Sequence, residues 1–265
     1  TPQVEMWLCQ VLMLQGRIED AFEFFESRFH WTPPAPIPAV TLPRWKGEPV
    51  GSLLVVAEQG LGDQIQFARY LPQIPNATIV VEPVMARLFG QFGHRVVTPG
   101  QTGRISDFDA WTPICSLGHL VGGMPPTPYM RAEATRSGGI GICWKGRPSH
   151  PNDANRSMPG PELLMSLPGA VSLHPEDTGA KDMMETTEII VGLDLVVSVD
   201  TSVVHLAGAL RKPCWVLLPA LNADWRWTAG DRTPWYETVR IFRQRQPGDW
   251  GAVFKRVRLE IAAVV

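Results

Sequence analysis

The spacing of apolar positions changes twice along the chain. Over the first thirty residues it is helical: Val4, Trp7, Leu8, Val11, Leu12 and Leu14, then Ile18, Ala21, Phe22, Phe25 and Phe29, with Gly16 at the break. This predicts a helical hairpin over 1–31. Pro33, Pro34, Pro36, Pro38, Pro43 and Pro49 follow, and their density excludes helix and predicts an extended linker over 32–50. From Ser52 short continuous apolar runs alternate with helical spacing. SLLVVAE reads as a strand buried on both faces, QGLGDQ as a turn and IQFARYLPQI as a helix. ATIVVEP and HRVVTP read as strands around the short helix VMARLFGQF, and FDAWTPICSL as a strand followed by a loop.

A second series begins near Ser137. GGIGICW, GAVSLHP, DLVVSVD, CWVLLPA and VRIFRQ read as strands; PELLMSL, METTEIIVGL, SVVHLAGALR and WGAVFKRVRLEIAAV read as helices. Strand–helix alternation predicts an α/β protein with parallel sheets and right-handed crossovers. The two series predict two Rossmann-like domains, over 51–135 and 136–265, facing one another across a cleft, with RAEATRSG at 131–138 as hinge.

Composition narrows the function. With 24 Lys+Arg against 26 Asp+Glu the net charge is −2, which argues against a protein held mainly by nucleic-acid phosphates or anionic lipid. No apolar run approaches the roughly 18–20 residues of a membrane helix, so no transmembrane segment is expected. Cys9, Cys115, Cys143 and Cys214 are far apart in the chain; no metal site is expected of them, and they read as reduced core thiols. Thr1 is not a start methionine, and the expectation is that the sequence begins inside a longer protein.

In open parallel sheets ligands lie beyond the carboxyl ends of the strands, here the turns after Glu58, Trp144, Asp200 and Pro219. Between Glu58 and Gln64, Gly60 and Gly62 allow close backbone approach to a ligand, without the third glycine of a dinucleotide fingerprint. Asp63 fits two roles there, a helix cap or a carboxylate that takes a proton from a substrate hydroxyl. After the strand ending at Asp200, Thr201 and Ser202 offer hydroxyls and N–H groups at a helix start, suited to a diphosphate, and His205 follows one turn on. Capping by Asp200 with a core-facing histidine is the bland alternative. The loop Cys143–Pro159 carries Lys145, Arg147 and Arg156, cations able to neutralise a leaving diphosphate. Asp224 lies in a further strand-end loop, NADWRW, whose Trp225 and Trp227 read as packing residues.

Five blocks in order, VAEQGLGDQIQFARY, WKG-x-P-x-H-x-ND-x-NRS, VSVDTSVVHLAGAL-x-KP, DWRW and PGDW, resemble the bacterial tetratricopeptide-linked glycosyltransferase-like proteins. These are related to lipopolysaccharide heptosyltransferases and more remotely to O-linked N-acetylglucosamine transferases. The hairpin resembles a last tetratricopeptide repeat through Gly16, Ala21, Phe25 and Pro33. The resemblance implies a GT-B fold with the acceptor side first and the nucleotide-sugar side second. It implies Asp63 as general base, with Gly60, Gly62 and Gln64 around it. Asp200, Thr201, Ser202 and His205 would bind the donor diphosphate and sugar, with Arg156 and Asp224 in the adjoining loops. Lys145 would assist the leaving group, although relatives of this type often carry a small residue there.

The activity implied is transfer of a sugar from a nucleotide sugar to an acceptor hydroxyl, inverting and metal-independent, with no cofactor. The partners implied are a nucleotide sugar, a glycan, lipid-glycan or protein acceptor, and proteins bound through the repeat region. The location implied is cytoplasmic, including the periphery of the inner membrane. The alternative is a non-catalytic nucleotide- or glycan-binding or protein-interaction module on the same fold.

Overall fold

The computed structural model describes residues 1–30 and 40–264; Pro33, Pro34, Pro36 and Pro38 of the predicted linker lie outside them. The chain forms two compact units, Thr1–Tyr129 with Asp182–Met184, and Met130–Lys181 with Glu185–Val265.

The first unit opens with helices α1 (Pro2–Leu14) and α2 (Ile18–Phe25), the latter running into a 3-10 turn over Glu26–Phe29. The two apolar stripes behave differently. Ala21, Phe22 and Phe25 of α2 are buried, whereas Val4, Trp7, Leu8, Val11 and Leu14 of α1 are exposed; Met6, Cys9, Leu12 and Met13 supply its buried face. Pro43–Trp45, within the predicted linker, is fastened to the sheet that follows: Trp111 N–H donates to Pro43 O and Trp45 N–H to Trp111 O.

Strands β1 (Leu53–Val56), β2 (Ala77–Val80), β3 (Arg95–Val97) and β4 (Ala110–Pro113) form a parallel sheet of order β3-β2-β1-β4. Helix α3 (Leu61–Phe67) joins β1 to β2, and α4 (Ala86–Phe89) joins β2 to β3. The helix predicted over IQFARYLPQI stops at Phe67 and tightens into a 3-10 turn over Ala68–Gln73, which contains Pro72; proline has no N–H to continue an α-helix. The loop predicted after β4 is instead a 3-10 turn followed by α5 (Leu117–Val121).

The hairpin packs on this sheet layer through rings. Phe25 stacks on Phe67 at 5.9 Å between centroids, and Phe22 meets Tyr70 edge-on at 6.3 Å. Gly118 in α5 makes the approach possible, because a Cβ there would lie 2.4 Å from the Phe22 ring. Gly118→Val is therefore expected to cost about 1–3 kcal/mol through overpacking, read as a lower denaturant midpoint. A Phe22→Ala partner change should recover part of the loss.

In the second unit strands β5 (Ile140–Cys143), β6 (Ala170–Ser172), β7 (Leu195–Val199), β8 (Cys214–Leu218) and β9 (Val239–Arg243) form a parallel sheet of order β6-β5-β7-β8-β9. Its helices are α6 (Asp153–Arg156), α7 (Glu162–Met165), α8 (Pro175–Thr178), α9 (Met183–Val191), α10 (Ser202–Ala209) and α11 (Trp250–Val264). Helices α6 and α8 were not expected from the sequence, being single turns too short to show a period. One face of the sheet buries Ile142, Val197, Val199, Leu217 and Phe242 against Trp250, Val253, Phe254 and Val257 of α11. Arg240 and Glu260 close that contact with two hydrogen bonds of 2.8 and 3.0 Å. The predicted hinge is fastened within this unit: Thr135 N–H donates to Glu188 O and Gly138 N–H to Gly192 O. All four cysteines are buried and none forms a disulfide.

Candidate functional site

Strand order reverses between β5 and β7 in the second sheet, and the crevice beyond their carboxyl ends is where an open α/β sheet takes a ligand. Two segments meet there. The loop after β5 closes on itself: Met158 N–H donates to Trp144 O at 2.8 Å, and Gly146 N–H to Ser157 Oγ at 2.8 Å. Asp153 Oδ1 accepts from Ser157 Oγ at 2.9 Å and Arg156 Nε at 3.2 Å. This aims Arg156 at β7, where its Nη1 donates to Asp200 O at 2.9 Å. The guanidinium lies against Gly146, where a Cβ would stand 2.3 Å from it.

On the β7 side Thr201, rather than Asp200, occupies the cap position of α10. Thr201 Oγ1 is engaged backwards, 3.1 Å from Ser198 Oγ and 3.6 Å from Cys143 Sγ, and makes no side-chain bond to the helix. The helix therefore begins with N–H groups uncapped by its own first hydroxyl, beside an arginine. The helix start and the guanidinium, itself paired with Asp153, are the positive groups at this turn in a chain of net charge −2.

Asp200 is raised to about 6 by burial, with the Asp224 carboxylate adding to the effect and Trp227, Arg226 and Arg156 opposing it. Asp224 Oδ1 accepts from Arg226 N–H at 3.0 Å and Arg226 Nη1 at 2.8 Å. Trp227 is buried beside the Asp200 carboxyl, which its indole N–H stabilises as a carboxylate. His205 is 4% exposed, shares a 2.9 Å hydrogen bond with the Tyr236 hydroxyl, and lies 5.7 Å from the Trp227 ring. Its Nδ1 thus serves the core around Tyr236. Trp225 packs edge-on to Trp235 at 5.8 Å, as the packing reading expected.

Lys145 stands apart from Arg156. It is 45% exposed and paired with Glu176 at 2.8 Å; that bond raises the lysine and lowers the glutamate from their ordinary values.

In the first unit Asp63 Oδ2 accepts from Gly60 N–H at 2.9 Å, in the manner of a cap. Gln64 is buried with no partner for its Oε1. Gly62 and Asp63 remain partly exposed. Directly before this turn the structure shows what sequence reasoning missed. Glu58 is buried and ion-paired at 2.7 Å with Arg28 from the hairpin. A charge closing an apolar strand was visible in the sequence; its partner, thirty residues away, was not. Among the described residues no group of three or more His, Cys, Asp or Glu is placed to hold a metal ion.

No family model matches the chain. Protein FlbA of Caulobacter vibrioides is 26% identical over an alignment of 322 positions, which takes in 93% of this chain and 53% of that protein. The chain spans about half the length of the curated relative it matches. Among solved structures it is similar to E. coli ADP-heptose lps heptosyltransferase II, at 12% identity and TM-score 0.52, covering 80% of this chain and 98% of that one. It is similar also to the iron-containing dodecameric glycosyltransferase TibC of enterotoxigenic E. coli, at 15% identity and TM-score 0.52, covering 79% and 67%. E. coli heptosyltransferase WaaC with ADP-2-deoxy-2-fluoro heptose gives 14% identity and TM-score 0.51, covering 81% and 100%. The likeness is one of fold: an α/β chain with two parallel sheets.

Proposed function

We propose that the chain is a glycosyltransferase that moves a sugar from a nucleoside-diphosphate sugar to an acceptor hydroxyl, with inversion and without a metal. The observation that supports it most is the meeting of Arg156 with the Asp200–Ser202 turn at the strand-order reversal of the second sheet. A guanidinium beside helix N–H groups that the Thr201 hydroxyl leaves uncapped offers charge-assisted hydrogen bonds to a diphosphate. It also neutralises the negative charge that grows on the leaving nucleoside diphosphate. In this reading residues 136–265 hold the donor and 51–135 present the acceptor. Asp63 removes the acceptor proton, and Arg156 takes the leaving-group role that the resemblance assigned to Lys145. Asp200, Ser202 and Asp224 line the donor side. The fold shared with heptosyltransferases is consistent with this, as is the ADP sugar that accompanies WaaC.

The test is titration with the adenosine, guanosine, uridine, cytidine and thymidine diphosphates, followed by melting temperature and calorimetry. At least one should raise the melting temperature, since a ligand specific to the folded state stabilises it. Arg156→Met should weaken that ligand by about tenfold or more, the loss expected for a charge-assisted contact. Gly146→Ala, which displaces the guanidinium, should do the same, while Lys145→Met should change binding by less than about threefold. If none of the five diphosphates binds, the donor site is lost.

A further inference from the structure

The carboxyl end of β1 holds a polar cluster that neither the cap nor the donor site explains. Arg28 reaches it from the 3-10 turn that closes the hairpin and is only 3% exposed. Its Nη2 donates to Glu58 Oε1 at 2.7 Å and to Ser116 Oγ at 2.8 Å. Its Nη1 donates to Phe25 O at 3.1 Å and Glu26 Oε1 at 2.6 Å. The guanidinium carbon stands 3.9 Å from the Phe29 ring centroid and 4.4 Å from that of Phe25. Arg44 Nη2 and Ser116 Oγ each donate to Glu26 Oε2 at 3.1 Å, completing the cluster. The Cys9 and Cys115 thiols and the Asp63 carboxylate are the other titratable groups that act on the pair.

Three features set this cluster apart from ordinary packing. The sheet order β3-β2-β1-β4 reverses at β1, so the cluster sits where such a sheet would take a ligand. Glu58 leads directly into Gln59, whose φ of 60° is unfavourable for a side-chain-bearing residue, and then into Gly60, which Asp63 holds. A backbone in that region persists only when its surroundings impose it. Finally, a buried ion pair is a poor means of stability alone, because apolar residues of similar volume do as well or better. What the pair supplies is direction: a rigid guanidinium fork fixes the position of one carboxylate.

We propose that Arg28 and Glu58 are positioning residues through which the helical hairpin sets the Gln59–Asp63 turn. Its consequence for catalysis, the presentation of Asp63, rests on the transferase reading above; the positioning itself does not. The hairpin is then a working part of the first α/β unit, reaching the end of β1 through the Arg28–Glu58 pair.

Amide hydrogen exchange on the full chain tests this without any substrate. Arg28→Met and Glu58→Gln are each expected to speed exchange at 59–63 by about tenfold or more beyond whatever rise the amides of β2 and β3 show. The double variant Arg28→Met/Glu58→Leu is expected to recover the melting temperature, as an apolar pair should, but not the protection of the turn. Unchanged exchange at 59–63 in the single variants would overturn the proposal, as would recovery of turn protection together with stability in the double variant. Where transfer is measurable, kcat gives a second readout: both single variants should lower it while the donor KM stays nearly that of the parent, a split that a purely structural loss would not produce. If the wild-type chain transfers no sugar, the transferase reading fails and the exchange result still decides the positioning role.

Discussion

An Asp63→Asn variant is expected to lose sugar transfer by about 10²–10⁴-fold, the usual worth of a positioned general base. Its melting temperature should stay nearly that of the parent. The two roles of Asp63 separate at this substitution. Asp63 Oδ2 accepts the Gly60 N–H at 2.9 Å, and an asparagine carbonyl oxygen accepts that bond as well, so the turn is kept. What asparagine cannot do is take a proton from an acceptor hydroxyl. Asp63→Ala removes both functions and should cost about 1 kcal/mol of stability in addition, the typical value of a lost cap. Initial rates at saturating donor, with the dissociation constant of the nucleoside diphosphate measured beside them, check the assignment. Transfer retained by Asp63→Asn, with stability lost only in Asp63→Ala, would leave Asp63 as a cap and nothing more.

Asp200→Asn is expected to do the opposite, raising stability while impairing the donor site. The Asp200 carboxyl is raised from 3.8 to about 6, chiefly by burial and then by Asp224. The sign follows from proton uptake. Between about pH 4 and 6 the folded chain holds a proton on Asp200 that the unfolded chain has released, so this group's contribution falls as pH rises through that window. Above about pH 6 the carboxylate is charged in the fold, at a penalty on the order of 3 kcal/mol from 1.36 kcal/mol per pKa unit. Asparagine carries no such penalty. The variant should melt several degrees higher at pH 7.5, and its advantage should fade as pH falls toward 4. Melting curves from pH 4 to 8 check this; a variant less stable at pH 7.5 would refute it. A carboxylate kept against stability at a strand end is the pattern expected where a side chain serves a ligand.

Much of this protein was legible before any coordinates. Continuous apolar runs such as Leu53–Val56 and Cys214–Leu218 mark strands buried on both faces, and their alternation with helices implies parallel sheets. That logic also places Asp63 and the Asp200–Ser202 segment at strand ends. Where periodicity fails, the reasons are local. Helices of one turn, such as Asp153–Arg156 and Pro175–Thr178, are too short to repeat a pattern. Pro72 converts the end of a predicted helix to 3-10 geometry.

The candidate site was less legible, because charge pairing is decided across space. Lys145 and Arg156 were equivalent cations of one loop until the fold bonded the first to Glu176 and aimed the second at the Asp200 carbonyl. His205 was a candidate ligand residue by its place in the helix; the fold brings Tyr236 to its Nδ1. Arg28 is one of three polar residues between Phe25 and Phe29, and nothing in its neighbourhood announces Glu58 thirty residues on. The sequence by itself determined the strands, most of the longer helices and their parallel arrangement, because backbone periodicity and side-chain burial are local properties. Which cation meets which carboxylate, and that the hairpin reaches into the end of β1, only the tertiary structure decided, because those contacts join segments that no local spacing relates.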